Sequence, residues 1–153
     1  MTHKMQLLRY GYRQTHDWTC GPAVARLLLC SFQIEMGIDE IKRALKTTRG
    51  GTTNGNLLQL LRKKGLSFKV KKSASLKDLV KYLKNHWVVV AYHIPERAGR
   101  KEELHYSIVT RVTKTRAYFH DTWYGANHSY SLPYFLKNWQ HKDAEGWLLA
   151  VKK

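Results

Sequence analysis

In the stretch Gln14-Thr-His-Asp-Trp-Thr-Cys20-Gly21-Pro22-Ala23, a cysteine stands where an apolar helix begins, because Val24-Ala-Arg-Leu-Leu-Leu29 follows directly. A thiol becomes a nucleophile only as its thiolate, and its unperturbed pKa is about 8.5. The first turn of a helix favours an anion through unpaired N–H groups and the positive end of the macrodipole. Pro22 suits that turn, where a missing N–H costs nothing, and Gly21 removes side-chain bulk beside the sulfur. Gln14, six residues upstream, offers a neutral amide N–H to an oxyanion beside the backbone N–H of Cys20. The spacing reads as the nucleophile of a cysteine hydrolase. A buried structural cysteine is the commoner fate of a free thiol, but it gives no reason for this surrounding pattern.

A nucleophilic cysteine needs a base, and the base needs an orienting group. Eight histidines compete: His3, His16, His86, His93, His105, His120, His128 and His141. Leu104–Val112 and Thr115–Asp121 read as consecutive strands joined by a tight hairpin near Thr113–Lys114. A loop centred on residue 113 sets His105 opposite Asp121, on one face of the sheet; a slip of one residue sets it opposite Thr122. His120 then points to the other face. His105 is thus the expected base and Asp121 its orienting partner. Trp18, Trp123 and Tyr124, with Gly21, are the expected walls of a substrate cleft. His86 and His93 flank a buried strand and are expected to pack there.

The pattern Gln14…Cys20-Gly21-Pro22-Ala23, then His105-Tyr-Ser-Ile-Val, then Asp121-Thr-Trp-Tyr-Gly125, resembles the bacteriocin-processing cysteine peptidases. Gly50-Gly-Thr-Thr53 before Leu57-Leu-Gln-Leu-Leu is similar to that family's Gly-Thr-Ser segment and second helix. Trp87-Val-Val-Val-Ala91 is similar to its central strand. The likeness runs from about residue 6 to residue 151. It implies a papain-like domain that cuts leader peptides after a Gly-Gly pair. Members at the N-terminus of peptide exporters continue into transmembrane and ATPase domains, whereas this chain stops at Lys153 and is expected to be free-standing or an excised domain. Pro22 stands where exporter members more often carry alanine; Cys-Gly-Pro-Ala looks more like the broader, free-standing relatives.

Periodicity and capping residues give an α+β reading of one domain over 1–153, with N-terminal helices packed on a mostly antiparallel sheet. Helices are expected at 20–32, 38–47, 55–64, 75–85 and 131–140, with Ser75 and Ser131 as N-caps. Strands are expected at 67–72, 87–94, 104–112, 115–121 and 146–152, with alternation clearest in Ser67-Phe-Lys-Val-Lys71. No stretch approaches the roughly 20 apolar residues of a membrane span, and the N-terminus lacks the apolar core of a secretory signal. On one helix, Cys20 and Cys30 lie too far apart for a disulfide, so both thiols fit a reducing cytoplasm. Cys30 is expected as a small buried packing residue.

Zinc is the rival chemistry, since Cys20, His16, His105, His120 and Asp121 include suitable ligand types. There is no Cys-x-x-Cys and no His-Glu-x-x-His, and on a strand His120 and Asp121 diverge. No metal and no cofactor are expected. Lys and Arg number 27 against 11 acids, a net +16, densest in Arg62–Lys72 and Arg97–Lys101. Such a field attracts acidic peptides, anionic lipid or nucleic acid. No nucleic-acid-binding motif accompanies it, whereas leader peptides of the resembling family are often acidic amphipathic helices. The expected partners are therefore a peptide or protein substrate, an acidic leader peptide in particular, and an exporter. Two other readings use the same scaffold: a basic module that binds acidic peptide or nucleic acid without cleaving it, and an acyl transferase that passes a thioester to another acceptor.

Overall fold

A computed structural model describes residues 19–94 and 104–153. The chain divides into two compact units. One comprises Met1–Ser67 with His120–Ala126, and the other Phe68–Phe119 with Asn127–Lys153.

Residues 19–67 of the first unit form three helices and their connections. Helix α1, Cys20–Ser31, is buried on nearly every side, with Ala23, Val24, Ala25, Leu27, Leu28 and Leu29 fully enclosed. A helix apolar all round belongs inside a core. Cys30 is only half-buried, so it is not the core residue the sequence suggests. The helix stops at Phe32, and Gln33 turns the chain with a φ of 61°. Helix α2, Ile38–Ala44, carries Asp39 and Glu40 in its first turn and Lys42 and Arg43 in its last, matching both ends of its dipole. Helix α3, Asn54–Lys63, starts under the Thr53 hydroxyl, which accepts from the Asn56 N–H at 3.2 Å. Leu57, Leu60 and Leu61 recur at helical spacing and form its buried face.

The second unit is built on a sheet. Its elements are β1 (Phe68–Lys71), α4 (Leu76–Leu83), β2 (His86–His93), β3 (Leu104–Val112), β4 (Arg116–Asp121), β5 (Gly125–Ser131), α5 (Leu132–Trp139) and β6 (Leu148–Lys152). The spatial order of the strands is β1-β6-β2-β3-β4-β5. The end of β4 and the first residues of β5 run into the first unit. The central strand β2 is antiparallel to both neighbours, with Val88 paired to Val109 and to Ala150. Being flanked on both sides, it reads as a continuous apolar run rather than an alternation. On one face, Leu79 of α4 and Phe135 and Trp139 of α5 close over Val88, Val90, Tyr92 and Phe119. The Phe135 and Trp139 rings stack at 5.3 Å, and the indole N–H donates to the Trp147 carbonyl at 2.8 Å. That bond removes the cost of burying the indole's polar end.

The five helices fall where the sequence places them, within a turn. Three readings need correction. β5 is not foreseen, because Gly-Ala-Asn-His-Ser-Tyr-Ser has no apolar alternation and forms a strand through its neighbour β4. β1 is a strand, but its alternation has no buried face: Val70 is 40% exposed on the sheet edge, between Lys69 and Lys71. The β3–β4 turn closes on Thr113 and Arg116, whose backbone N–H and C=O join at 2.8 Å. The Thr113 hydroxyl accepts from the Thr115 and Arg116 N–H groups, so the turn centres on Lys114–Thr115. The register counted from residue 113 is therefore not the register of this turn.

Ser75 caps α4 with a full capping box. Its hydroxyl accepts from the Asp78 N–H at 3.2 Å, and the Asp78 carboxylate accepts from the Ser75 N–H at 2.9 Å. That backbone donor, followed by Lys71 at 3.0 Å, holds the Asp78 carboxyl at about 2. A lowered carboxylate pKa stabilises the fold above the ordinary value near 3.8, and that contribution is lost as pH falls towards 2. Asp78→Asn should therefore lower stability to urea at pH 6. The difference from wild type should shrink steadily between pH 4 and pH 2, and a constant difference across that range would refute the capping account.

Candidate active site

Cys20 is the first residue of α1, and Thr19 before it makes no side-chain capping hydrogen bond. No acidic residue stands in the first turn. Among the described residues no carboxylate caps the N-terminal N–H groups of α1, and the sulfur sits at the positive end of a buried helix. Pro22 occupies that first turn, as expected.

Gly21 has a second reason to be glycine, invisible in the sequence. A Cβ built there would lie 2.5 Å from Thr52 Oγ1 and 2.6 Å from Thr52 Cβ. The Gly50-Gly51-Thr52 segment is pressed against the start of α1, and Thr52 in turn meets the Thr47 hydroxyl at 2.8 Å. Gly51, at a φ of 99°, and a bridge between Thr48 and Gly51 shape the loop. The family likeness of Gly50–Thr53 thus has a physical basis: it is the loop that abuts the cysteine's helix. Thr52 is absent from the sequence-based site, and only the need for a glycine beside the cysteine hints at it.

Asp121 ends β4 and is buried. One carboxylate oxygen, Oδ1, accepts from the backbone N–H groups of Trp123 at 2.8 Å and Tyr124 at 2.9 Å. This Asx-type turn fixes the carboxylate's direction and carries the half-buried side chains of Trp123 and Tyr124. His120 is also buried; burial pushes its imidazole below the ordinary histidine value, against the pull of neighbouring Asp121.

His105 lies in β3 of the second unit, 1% exposed, paired across the ladder with Tyr92. Cys20, Gly21, Asp121, Trp123 and Tyr124 all belong to the first unit. Gln14 and Trp18 lie outside the described residues, as does the basic run Arg97–Lys101. His86 and His93 flank β2, as the sequence suggests; His93 stacks on His141 at 4.9 Å.

The sequence model of the Peptidase C39 family matches residues 10–144. The chain belongs to the peptidase C39 family. It is a papain-like cysteine peptidase with an α+β fold. Among solved structures, a C39-like peptidase from Bacillus anthracis matches with a TM-score of 0.76 at 13% identity, covering 94% of each chain. The peptidase domain of Streptococcus ComA, a bifunctional ABC transporter of quorum sensing, matches with 0.72 at 16% identity, over 93% of this chain and 96% of that one. A double-glycine-motif protease from an AMS/PCAT transporter, solved with its leader peptide, matches with 0.70 at 17% identity, over 93% and 89%. Comparison with curated protein sequences found no match. Among the described residues, no helix is long and apolar enough to cross a membrane.

Two sets of substitutions test this geometry. Gly21→Ala should destabilise the first unit and lower peptidase activity, and Thr52→Gly added to it should restore much of both, because it removes the clashing atoms; no rescue would refute the contact. Asp121→Ala should cost more stability than Asp121→Asn, since asparagine keeps an oxygen for the Trp123 and Tyr124 N–H groups. Urea denaturation of the two variants decides it, and equal losses would refute the turn's dependence on that oxygen.

Proposed function

We propose that the chain, as a single papain-like domain over 1–153, hydrolyses a peptide bond through Cys20, His105 and Asp121. The reading is carried chiefly by the position of Cys20, which opens a buried helix whose first turn holds no competing acid. The order Gln14, Cys20, His105, Asp121 along a C39 chain supports it further. Cys20 gives its proton to His105 and attacks the scissile carbonyl. The Gln14 amide and the Cys20 N–H hold the oxyanion of the tetrahedral intermediate. Asp121 keeps the imidazole in its working tautomer and stabilises the imidazolium. His105 then protonates the leaving amine, and water resolves the thioester. No cofactor enters this sequence. An intact set of four groups favours hydrolysis over the binding-module reading, since a pure binder needs none of them.

For the substrate we propose a peptide cut after Gly-Gly in the cytoplasm, with an acidic stretch upstream, in partnership with an exporter. Support comes from the double-glycine protease solved with a leader peptide, from the transporter origin of the ComA domain, and from the +16 charge. Trp18, Trp123 and Tyr124, with Gly21, would line a cleft too narrow for a side chain before the cut.

Cys20→Ala and His105→Ala should each abolish turnover, and the double variant should lose no more than either. Gln14→Ala should lower kcat about 10²–10³-fold. Burial pushes the Cys30 thiol up, so iodoacetamide at pH 6 should label Cys20 well before Cys30, read by mass spectrometry. An active His105→Ala, or Cys30 labelling first, would reject the assignment. Peptides with Gly, Ala or Leu before the cut test specificity. Cleavage should be confined to Gly, and added salt should raise KM while leaving kcat nearly constant. Equal cleavage of all three would reject Gly-Gly, and a salt-independent KM would reject electrostatic recognition.

A further inference from the structure

We infer that Tyr92 is the positioning residue of the catalytic imidazole; the inference rests on His105 being the base. Tyr92 faces His105 directly across the β2–β3 ladder. Their rings meet at a centroid distance of 5.7 Å and an interplanar angle of 89°, an edge-to-face contact of the favoured kind. Both residues are about 1% exposed. Tyr92 cannot readily turn aside, because three other rings surround it: Phe119 at 5.6 Å, Tyr130 at 5.7 Å and Phe135 at 6.0 Å. These rings come from β4, β5 and α5, so the wall behind the imidazole is anchored in most of the second unit.

The consequence is kinetic. An imidazole has two soft torsions, and a base that must take a proton from sulfur and return it to nitrogen works only in a narrow range of orientations. A carboxylate can fix the ring at one nitrogen, but it does not stop the ring plane from rocking about that hydrogen bond. A perpendicular ring held by its own neighbours does stop it, and it is already in place when the substrate arrives. Tyr92 touches no substrate in this account. Its ring, rather than its hydroxyl, is the working part.

The experiment compares Tyr92→Phe and Tyr92→Leu in the full chain, with active sites counted by stoichiometric labelling of Cys20. Tyr92→Phe keeps the ring and should hold kcat within about twofold. Tyr92→Leu should lower kcat per labelled site about tenfold, leave KM within about twofold and shift the limb of the pH–rate profile that reports the imidazole. A purely structural role predicts a lower melting temperature in Tyr92→Leu with unchanged kcat per site and an unchanged pH profile, and that result overturns the proposal. If Tyr92→Leu does not fold, NMR of the wild-type chain decides: a single His105 ring orientation with contacts to the Tyr92 ring supports it, and exchange between two orientations overturns it. His105→Ala separates the two levels. Activity in that variant removes the base assignment itself, whereas its inactivity beside a fully active Tyr92→Leu removes only the role of Tyr92.

Discussion

The approach of Thr52 to Gly21 sets the position of the candidate nucleophile, and much of the first unit follows from it. A helix that begins with a candidate nucleophile has to keep its first turn open to a ligand, yet it also has to be held in place. Here the holding contact comes from the side, through a loop that uses the space a Cβ would take. The same loop leads straight into Thr53, the cap of α3. One short segment thus fixes the start of α1 and the start of α3, and the thiol is positioned by packing rather than by bonds to its own sulfur.

Asp121 solves a related problem in a different way. Its carboxylate accepts two backbone N–H groups from the turn that follows, so a residue proposed for chemistry is also the residue that shapes its loop. Buried carboxylates are costly unless well supplied with donors. Here two of those donors come from the adjoining backbone. That supply also ties Trp123 and Tyr124 to the same carboxylate, so that a change in one is felt by the others.

Much of this was legible in the sequence, for reasons that can be named. The helices announce themselves through caps and periodicity: Ser75 with Asp78, Thr53 before Leu57, Leu60 and Leu61. The cysteine motif is local, and its meaning survives without knowledge of the fold. What failed were features set by partners far along the chain. β5 carries no strand pattern of its own, and it owes its conformation to β4 beside it. The alternation of Phe68 and Val70 suggests a buried face, yet an edge strand with lysines at 69 and 71 leaves Val70 in water, a common defence of sheet edges. A loop centred on residue 113 is not the turn that forms, because the threonine hydroxyl at 113 gathers two N–H groups and moves the turn along the chain. The register of this turn does not set His105 opposite Asp121, so the proposed pairing rests on chain order alone. Thr52 is hinted at only by the glycine beside the cysteine, since nothing in its own neighbourhood marks a residue that fills another's missing side chain.

Charge is the property that belongs to the sequence more than to the fold. With 27 cations and 11 acids, the chain's own carboxylates cannot neutralise its surface. The ion pairs of Lys71 with Asp78 and Lys72 with Glu145 are exposed and local, and they leave the long-range field almost unchanged. A field of that kind acts before contact, on the rate and orientation of encounter, whereas the proposed cleft would act afterwards, on the residue that fits. The two filters would be independent in origin, one spread over the surface and the other confined to the proposed site. A peptide of the proposed kind would pass both, because its acidity and its small residues occupy different stretches of the same chain.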